Sequence, residues 1–194
     1  MTTLKVVGLD PSLRNWGIAI GDYCLDNARL QITELTVTKP ALPTGKQVRQ
    51  NSKDLTAASQ LAEGALAAVQ GADAIFVEVP VGSQSSRAMA SYGICVGILG
   101  SLRAFNTSFY EVTPTEVKLI SVGDRKATKE QMIVWGITTH PEAPWPTQKV
   151  KGVDRVIQST AEHMADAVAA IYAGLATPEF KQAAQLMSSM QKTA

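Results

Sequence analysis

Three carboxylates lie inside apolar stretches of the sequence, where an ionised side chain is costly. They are Asp10 after the run 4–9, Glu78 within 74–79 and Asp166 within 164–168. Withdrawing a carboxylate from water is strongly unfavourable unless a cation or hydrogen-bond donors compensate it. Acids repeated in core-like segments therefore suggest a shared cation, and these three residues form a hypothetical metal site.

Five strands are predicted to position the first two acids. Apolar runs over 4–9, 16–23 and 30–37 are separated by turn residues, which favours an antiparallel meander. A fourth strand is predicted over 74–79 and a short fifth over 109–112. Asp10 thus follows the first strand, and Glu78 lies at the end of the fourth.

The segments between and after these strands have apolar residues at helical spacing and are predicted to be helices. The first helix is expected to begin near Ser52, with this serine as a possible N-cap. The segment 87–105 is weakly charged and rich in small residues, and it is interpreted as a central buried helix. Thr113-Pro114 fits an N-cap followed by proline, which predicts a short helix to residue 120.

Two later helices are predicted over about 128–138 and 159–175, and the second carries Glu162, His163 and Asp166. The segment 140–151 contains three prolines and is interpreted as a loop. The predicted architecture is α/β: an RNase H-like fold with a five-stranded mixed sheet, three strands antiparallel and then two parallel, flanked by helices. Fold alone does not establish function.

Composition limits the class of protein. A chain of 194 residues with 45% hydrophobic and 18% charged residues predicts one domain with a full core, taken as residues 1–176, followed by a tail over 177–194. No apolar run is long enough to span a membrane and no signal-peptide layout is present, so we expect a cytoplasmic protein without a membrane partner. Cys24 and Cys95 are interpreted as buried thiols.

The net charge of +1 conceals basic groups of residues along the chain. They are Lys39, Lys46, Arg49 and Lys53; then Lys118, Arg125, Lys126 and Lys129; then Lys149, Lys151 and Arg155. Such groups are commonly a solvated surface. Beside a metal site they are also candidate contacts for phosphates.

Four motifs resemble the RuvC family of Holliday-junction resolvases, of bacterial or phage type. The first is Gly8-Leu9-Asp10-Pro11 with Gly17, and the second is Val77-Glu78. The third runs from Val112 to Met132 and includes Pro114-Thr115-Glu116-Val117-Lys118 and Gly123 to Gln131. The fourth is His163-Met164-Ala165-Asp166-Ala167. The motifs occur in the family's order between residues 4 and 175.

The resemblance implies a nuclease that hydrolyses phosphodiester bonds with two divalent ions, Mg²⁺ or Mn²⁺. Asp10, Glu78, His163 and Asp166 would be metal ligands, with Lys129 also in the catalytic set. Phosphate contacts would come from Lys118, Arg125, Lys126 and Lys129. Glu162 competes with His163 as the fourth ligand, because both lie about one turn before Asp166. The implied partners are four-way junctions or other branched DNA and a second copy of the chain.

Two departures from the family pattern qualify this expectation. Members often have an aromatic residue just after the strand-four glutamate, thought to stack on a base, whereas this chain has Val79-Pro80-Val81-Gly82. The segment 140–156 is longer than in compact members, which suggests an added lid or DNA-contacting loop. Trp16 and Trp135 are expected in the core and are not assigned to the site.

Two other functions remain open from the sequence. An actin-like ATPase or phosphotransferase also begins with an Asp and a Gly-rich turn, but it needs a second large domain that this length hardly accommodates. A non-catalytic protein that binds branched DNA is the other. We would expect such a protein to have lost one of the acids, and none is missing.

Overall fold

The computed structural model describes residues 2–45 and 47–192. Its central sheet has five strands: β1 Thr3–Asp10, β2 Trp16–Cys24, β3 Arg29–Thr38, β4 Ala74–Glu78 and β5 Tyr110–Val112. Their order in the sheet is β3-β2-β1-β4-β5. The first three strands pair antiparallel, β4 pairs parallel with β1, and β5 pairs parallel with β4. The predicted mixed sheet is confirmed.

Within the described residues, six helices and a small hairpin surround this sheet. The helices are α1 Gln50–Val69, α2 Ser86–Ala104, α3 Pro114–Ser121, α4 Lys129–Thr139, α5 Gln158–Ala176 and α6 Pro178–Lys192. The Thr113 cap is confirmed, and Thr128 forms a second capping box with Gln131. The Ser52 cap is wrong: α1 begins two residues earlier, because Arg49 takes the extended N-cap conformation. Among the serines at 83–86, Ser85 caps α2.

Helix α5 covers one face of the sheet and fixes how its residues meet β1 and β2. A side chain at Gly8 would collide with the backbone oxygen of Ala167, and one at Gly17 would collide with that of His163. The missing side chains therefore let the helix lie close to the strands. Because Gly17 pairs with Asp10, His163 is held above the end of β1. Helices α1 and α2 pack on the opposite face.

The interpretation of α2 as a central buried helix is wrong. Only Cys95, Ile98, Leu99 and Leu102 are buried, and they face α1 and the sheet. Met89 and Val96 are exposed, and nothing lies within 4 Å of a side chain added at Gly93 or Gly97. An apolar composition predicted burial, but a second helix in this layer leaves α2 with one uncovered side.

The proline-containing segment after α4 is not wholly a loop. Residues Thr147–Val150 (β6) and Val153–Val156 (β7) form an antiparallel hairpin. Its turn residues Lys151 and Gly152 both have positive φ, 51° and 81°, as in a type I′ hairpin turn. Strongly polar strands with little apolar alternation gave no signal for this element.

The remaining expectations concern the tail, the cysteines and membranes. In α6, Phe180 is buried against Phe76 and Tyr110, so this part of the predicted tail contacts the core. The division of the chain into a domain of 1–176 and a tail of 177–194 stays a prediction. Cys95 is buried, whereas Cys24 is only partly buried, so that half of the thiol prediction is wrong. Trp16 lies in the core as expected. Within the described ranges no helix is long and apolar enough to cross a membrane.

Candidate active site

The three acids meet at one edge of the sheet. Strands β1 and β4 are parallel neighbours with Leu9 opposite Val77, so their next residues, Asp10 and Glu78, project from the same edge. Helix α5 runs antiparallel to β1, because Gly8 lies under Ala167 and Gly17 under His163. Its first turns therefore bring Asp166 to the same edge. Acids separated by up to 156 positions in sequence thus share one site.

A cleft of about 220 Å³ opens at this edge. Its lining residues are Asp10, Pro11, Ser12, Glu78, Pro80, Val81, Tyr92, Pro114, Lys129, Glu162, His163 and Asp166. The structure therefore brings together all five residues predicted to be catalytic, and Glu162 with them. Sequence reasoning did not assign Tyr92, since a tyrosine within an apolar helix gives no signal for a site formed by other elements.

A chain of polar contacts crosses the cleft through His163. Its Nδ1 lies 2.9 Å from Oδ2 of Asp10, and its Nε2 lies 3.3 Å from Oε1 of Glu162. The same Glu162 oxygen accepts a hydrogen bond from Nζ of Lys129 at 3.0 Å. His163 and Glu162 therefore both belong to the site: the imidazole contacts the first-strand acid, and the glutamate links that imidazole to a lysine.

Burial and mutual repulsion perturb the carboxylates. Burial, followed by the negative charges of Asp10 and Asp166, raises the pKa of Glu78 to about 9. Burial and then Asp10 raise the pKa of Asp166 to about 7, although His163 opposes this shift. Burial also raises the pKa of Asp10, against the hydrogen bond with His163. The cleft therefore holds more acid than its own cations compensate.

His163 responds in the direction expected of an imidazole among carboxylates. Burial lowers its pKa, but the hydrogen bond to Asp10 and the charges of Asp10 and Glu162 outweigh this effect and raise the pKa above its ordinary value. A protonated imidazole thus compensates part of the negative charge. It cannot compensate three buried acids.

The donor set suits a hard divalent cation. Three carboxylates from separate elements, with an imidazole beside them, offer the oxygen-rich ligands that Mg²⁺ and Mn²⁺ prefer. A cation would also relieve the repulsion that raises the pKa of Glu78 and Asp166. As the side chains stand, no three His, Cys, Asp or Glu residues within 2–45 and 47–192 form a ready metal-binding group. The residues fit the ion by their chemistry and charge.

The four predicted phosphate contacts divide into two pairs. Lys129 lines the cleft, and the positive charge of Lys118 partly offsets the shifts in Glu78 and Asp166. Arg125 and Lys126 are exposed in the turn before α4 and do not line the cleft. The motif grouped all four by sequence proximity, whereas the turn at 122–128 carries two of them away from the acids.

No protein-family model matches the sequence, and no curated protein is significantly similar to it. Solved structures do match. Thermus thermophilus RuvC in complex with a Holliday junction substrate has a TM-score of 0.61 at 18% identity, over 92% of this chain and 96% of that one. A second T. thermophilus RuvC structure has a TM-score of 0.60 at 19% identity, over 88% and 92%.

The yeast mitochondrial Holliday junction resolvase Ydc2 also matches, with a TM-score of 0.58 at 13% identity, over 97% of this chain and 83% of that one. At these identities the likeness establishes the fold. The chain has the RNase H-like fold of its RuvC neighbours, and the resemblance carried by the motifs is confirmed at that level. The matches extend over nearly the whole chain.

Proposed function

We propose that this chain is a RuvC-type endonuclease that cleaves four-way junctions or other branched DNA with the help of divalent metal ions. The observation that carries the proposal is the acid-rich cleft, in which Asp10, Glu78 and Asp166 share one buried edge of the sheet. The motifs that resemble the family lie at this edge, and the matching fold belongs to a RuvC bound to a Holliday junction substrate and to a Holliday junction resolvase.

In this proposal Asp10, Glu78, Asp166 and His163 hold two Mg²⁺ or Mn²⁺ ions. Bound there, such ions activate water and neutralise charge on the attacking and leaving oxygens of a phosphodiester. Asp10 has the most central position in the site. It is the last residue of β1, with Glu78 of β4 on one side and the helix that carries His163 and Asp166 on the other.

The protein's own side chains have two further tasks. Lys129 lies at the mouth of the cleft, where its side chain is 72% exposed; its ammonium group pairs with Glu162 and is also available to a phosphate. Lys118 adds positive charge beside Glu78 and Asp166. Arg125 and Lys126, on the exposed turn, contact the DNA backbone farther from the scissile bond.

The proposal includes a homodimer, because two nicks on a junction of approximate two-fold symmetry call for two sites. The uncovered side of α2, with Met89, Gly93, Val96 and Gly97, is the proposed interface. Small residues at 93 and 97 permit close approach of a second helix. Sedimentation that shows a monomer both free and on DNA would contradict this part of the proposal.

A cleavage assay tests the whole proposal. Purified protein is incubated with synthetic four-way, Y-shaped and linear duplex DNA, with Mg²⁺, with Mn²⁺ or with a chelator. We expect metal-dependent cutting of the branched substrates, and we expect Asp10→Asn to abolish cutting while junction binding survives. Near-wild-type cleavage by that variant would contradict the assignment of the acids to the active site.

A further inference from the structure

The hairpin formed by β6 and β7 stands away from the body of the protein. Six of its eight strand residues are exposed, and only Val150 and Val156 are partly buried. An isolated two-stranded ribbon is marginally stable in water and gains little here from a core. The hairpin is therefore not explained by packing.

Its base is joined to the start of the helix that carries the site. The backbone N–H of Ile157, the N-cap of α5, donates to the carbonyl of Pro146 at 2.8 Å, which closes the hairpin at its foot. Toward its N-terminus α5 passes the end of β1, since Gly17 beneath His163 pairs with Asp10. The base of the hairpin therefore lies at the same edge of the sheet as the cleft.

The dimensions place the hairpin beside the cleft. From Ile157 to Glu162 the helix rises about 7.5 Å, at about 1.5 Å per residue. A four-residue strand adds about 13 Å. The far end of β7 is therefore at most about 20 Å from Glu162 in the cleft, a span of about six base pairs at about 3.4 Å each.

The hairpin is basic. Lys149, Lys151 and Arg155 oppose a single acid, Asp154, which leaves residues 147–156 with a net charge of +2. Cross-strand pairing puts Arg155 and Gln148 on one face and Lys149 opposite Asp154 on the other, with Lys151 at the tip. Lys39 extends the basic surface, because its Nζ donates to Thr160 in the first turn of α5 at 2.9 Å.

We infer that the β6–β7 hairpin is a DNA-contacting arm, which binds the phosphate backbone of the duplex within about six base pairs of the cleft. An exposed ribbon can lie along or in a groove of duplex DNA, with arginine and lysine on its phosphates. This inference rests on the proposed function, because the cleft defines which DNA segment the hairpin meets. It adds a contact surface that the acids and the lysines of α3 and α4 do not supply.

The test compares two variants that each lose two positive charges, both in an Asp10→Asn background that keeps the DNA intact. The hairpin variant carries Lys149→Gln and Arg155→Gln. The control carries Arg29→Gln and Lys181→Gln, two exposed residues placed elsewhere: Arg29 pairs with Cys24 at the opposite edge of the sheet, and Lys181 lies on α6. Thermal melting establishes that both variants are folded.

Binding to a four-way junction is measured over a range of salt concentrations, together with a hydroxyl-radical footprint. Each lost phosphate contact reduces the slope of log K against log salt by about 0.9, so the hairpin variant should lose nearly two from its slope. Its footprint should shorten on the arm beside the cleavage position, while the control matches the parent. A hairpin variant with the control's slope and footprint would overturn the inference.

Failure of this inference can be told apart from failure of the proposed function. In one outcome, the protein with Asp10 intact cuts junctions and the hairpin variant binds like the control. That result contradicts the hairpin contact and supports the proposed nuclease. In another outcome, the protein with Asp10 intact binds junctions without cutting them, and the salt slope is reduced in the hairpin variant. That result supports the hairpin contact and contradicts the proposed nuclease. Absence of junction binding by the parent overturns both.

Discussion

Two histidine–carboxylate clusters lie against helix α5, and they differ in how completely their charges are compensated. In the first, His140 is 2% exposed; its Nδ1 lies 2.9 Å from Oε1 of Glu142 and its Nε2 lies 2.9 Å from the hydroxyl of Tyr172. The backbone oxygen of His140 accepts a hydrogen bond from the indole of Trp145 at 2.8 Å. Every polar group named here has a partner. In the cleft, His163 interacts with two other acids besides Asp10, namely Glu162 and Asp166, and Glu78 has no cationic contact of its own among the described ion pairs.

The electrostatic result is opposite in the two places. Partial burial would raise the pKa of Glu142, but the hydrogen bonds from His140 and from backbone N–H groups outweigh it and lower that pKa. In the cleft, burial and repulsion raise the pKa of Asp10, Glu78 and Asp166. A compensated pair indicates a structural role, whereas an uncompensated group of acids is a candidate functional site and is consistent with the proposed metal binding.

The largest expected effect comes from removing one carboxylate charge in each cluster. Glu78→Gln should reduce cleavage on the order of a thousandfold, about 4 kcal/mol of transition-state stabilisation, because a metal ligand is lost. It should also raise the free energy of unfolding of the metal-free protein near neutral pH, since folding no longer has to protonate a buried acid whose pKa is raised to about 9. Junction cleavage and denaturant unfolding are the two measurements.

The matched variant, Glu142→Gln, should have the reverse profile. We expect a loss of about 1 kcal/mol in stability, because the hydrogen bond to His140 becomes neutral, and cleavage close to that of the parent protein. If Glu142→Gln abolished cleavage, or if Glu78→Gln left it intact, the distinction between the two clusters would fail.

The next effect separates His163 from Glu162. Imidazole suits Mn²⁺ better than Mg²⁺, so His163→Ala should lose most cleavage, and His163→Asp should keep activity with a shift in preference toward Mg²⁺. Glu162→Gln should be mild, because Glu162 reaches the site through His163 and Lys129. Initial rates in each metal ion are compared; an inactive Glu162→Gln beside an active His163→Ala would make Glu162 the fourth ligand.

A smaller effect is the pH dependence of stability without metal. The pKa of Glu78 is raised to about 9 and that of Asp166 to about 7 in the folded chain, so both acids lose their protons at lower pH when unfolded. The unfolded state then binds fewer protons, and the free energy of unfolding should fall as pH rises from about 5 to about 9. The raised pKa of His163 acts in the same direction.

Denaturant unfolding in a chelator, at pH values across this window, measures the fall. We expect it to exceed about 1.4 kcal/mol, the free energy of one pKa unit. Addition of Mg²⁺ should reduce the fall, because the ion binds the ionised acids, and the Glu78→Gln variant should show a shallower dependence. A flat profile in the chelator would mean that the acids are compensated by the protein alone.

The smallest expected difference comes from two tyrosine hydroxyls. Tyr172→Phe removes the partner of the buried His140 and should cost about 1 kcal/mol of stability. Tyr92→Phe, at the wall of the cleft, should change stability by no more than about 0.5 kcal/mol. Thermal unfolding of both variants supplies the comparison; equal losses would mean that the cleft is also held together by its side-chain hydrogen bonds.

Several elements could be predicted because local sequence decides them. Apolar runs between turn residues determined β1 to β5, and Thr113 with Pro114 fixed the start of α3 by supplying a cap and a preset φ. Placement of the ionisable residues in apolar segments identified Asp10, Glu78 and Asp166. The β6–β7 hairpin escaped prediction because it has no buried face and hence no apolar alternation.

The sequence by itself determined which residues are candidates for the chemistry, because a carboxylate within a core-like run is costly wherever the chain places it. Only the tertiary structure decided how they combine. Parallel pairing of β1 with β4 brings Asp10 beside Glu78, and the close approach of α5 over Gly8 and Gly17 adds His163 and Asp166. It also left one side of α2 uncovered, because burial depends on neighbours that local composition does not specify.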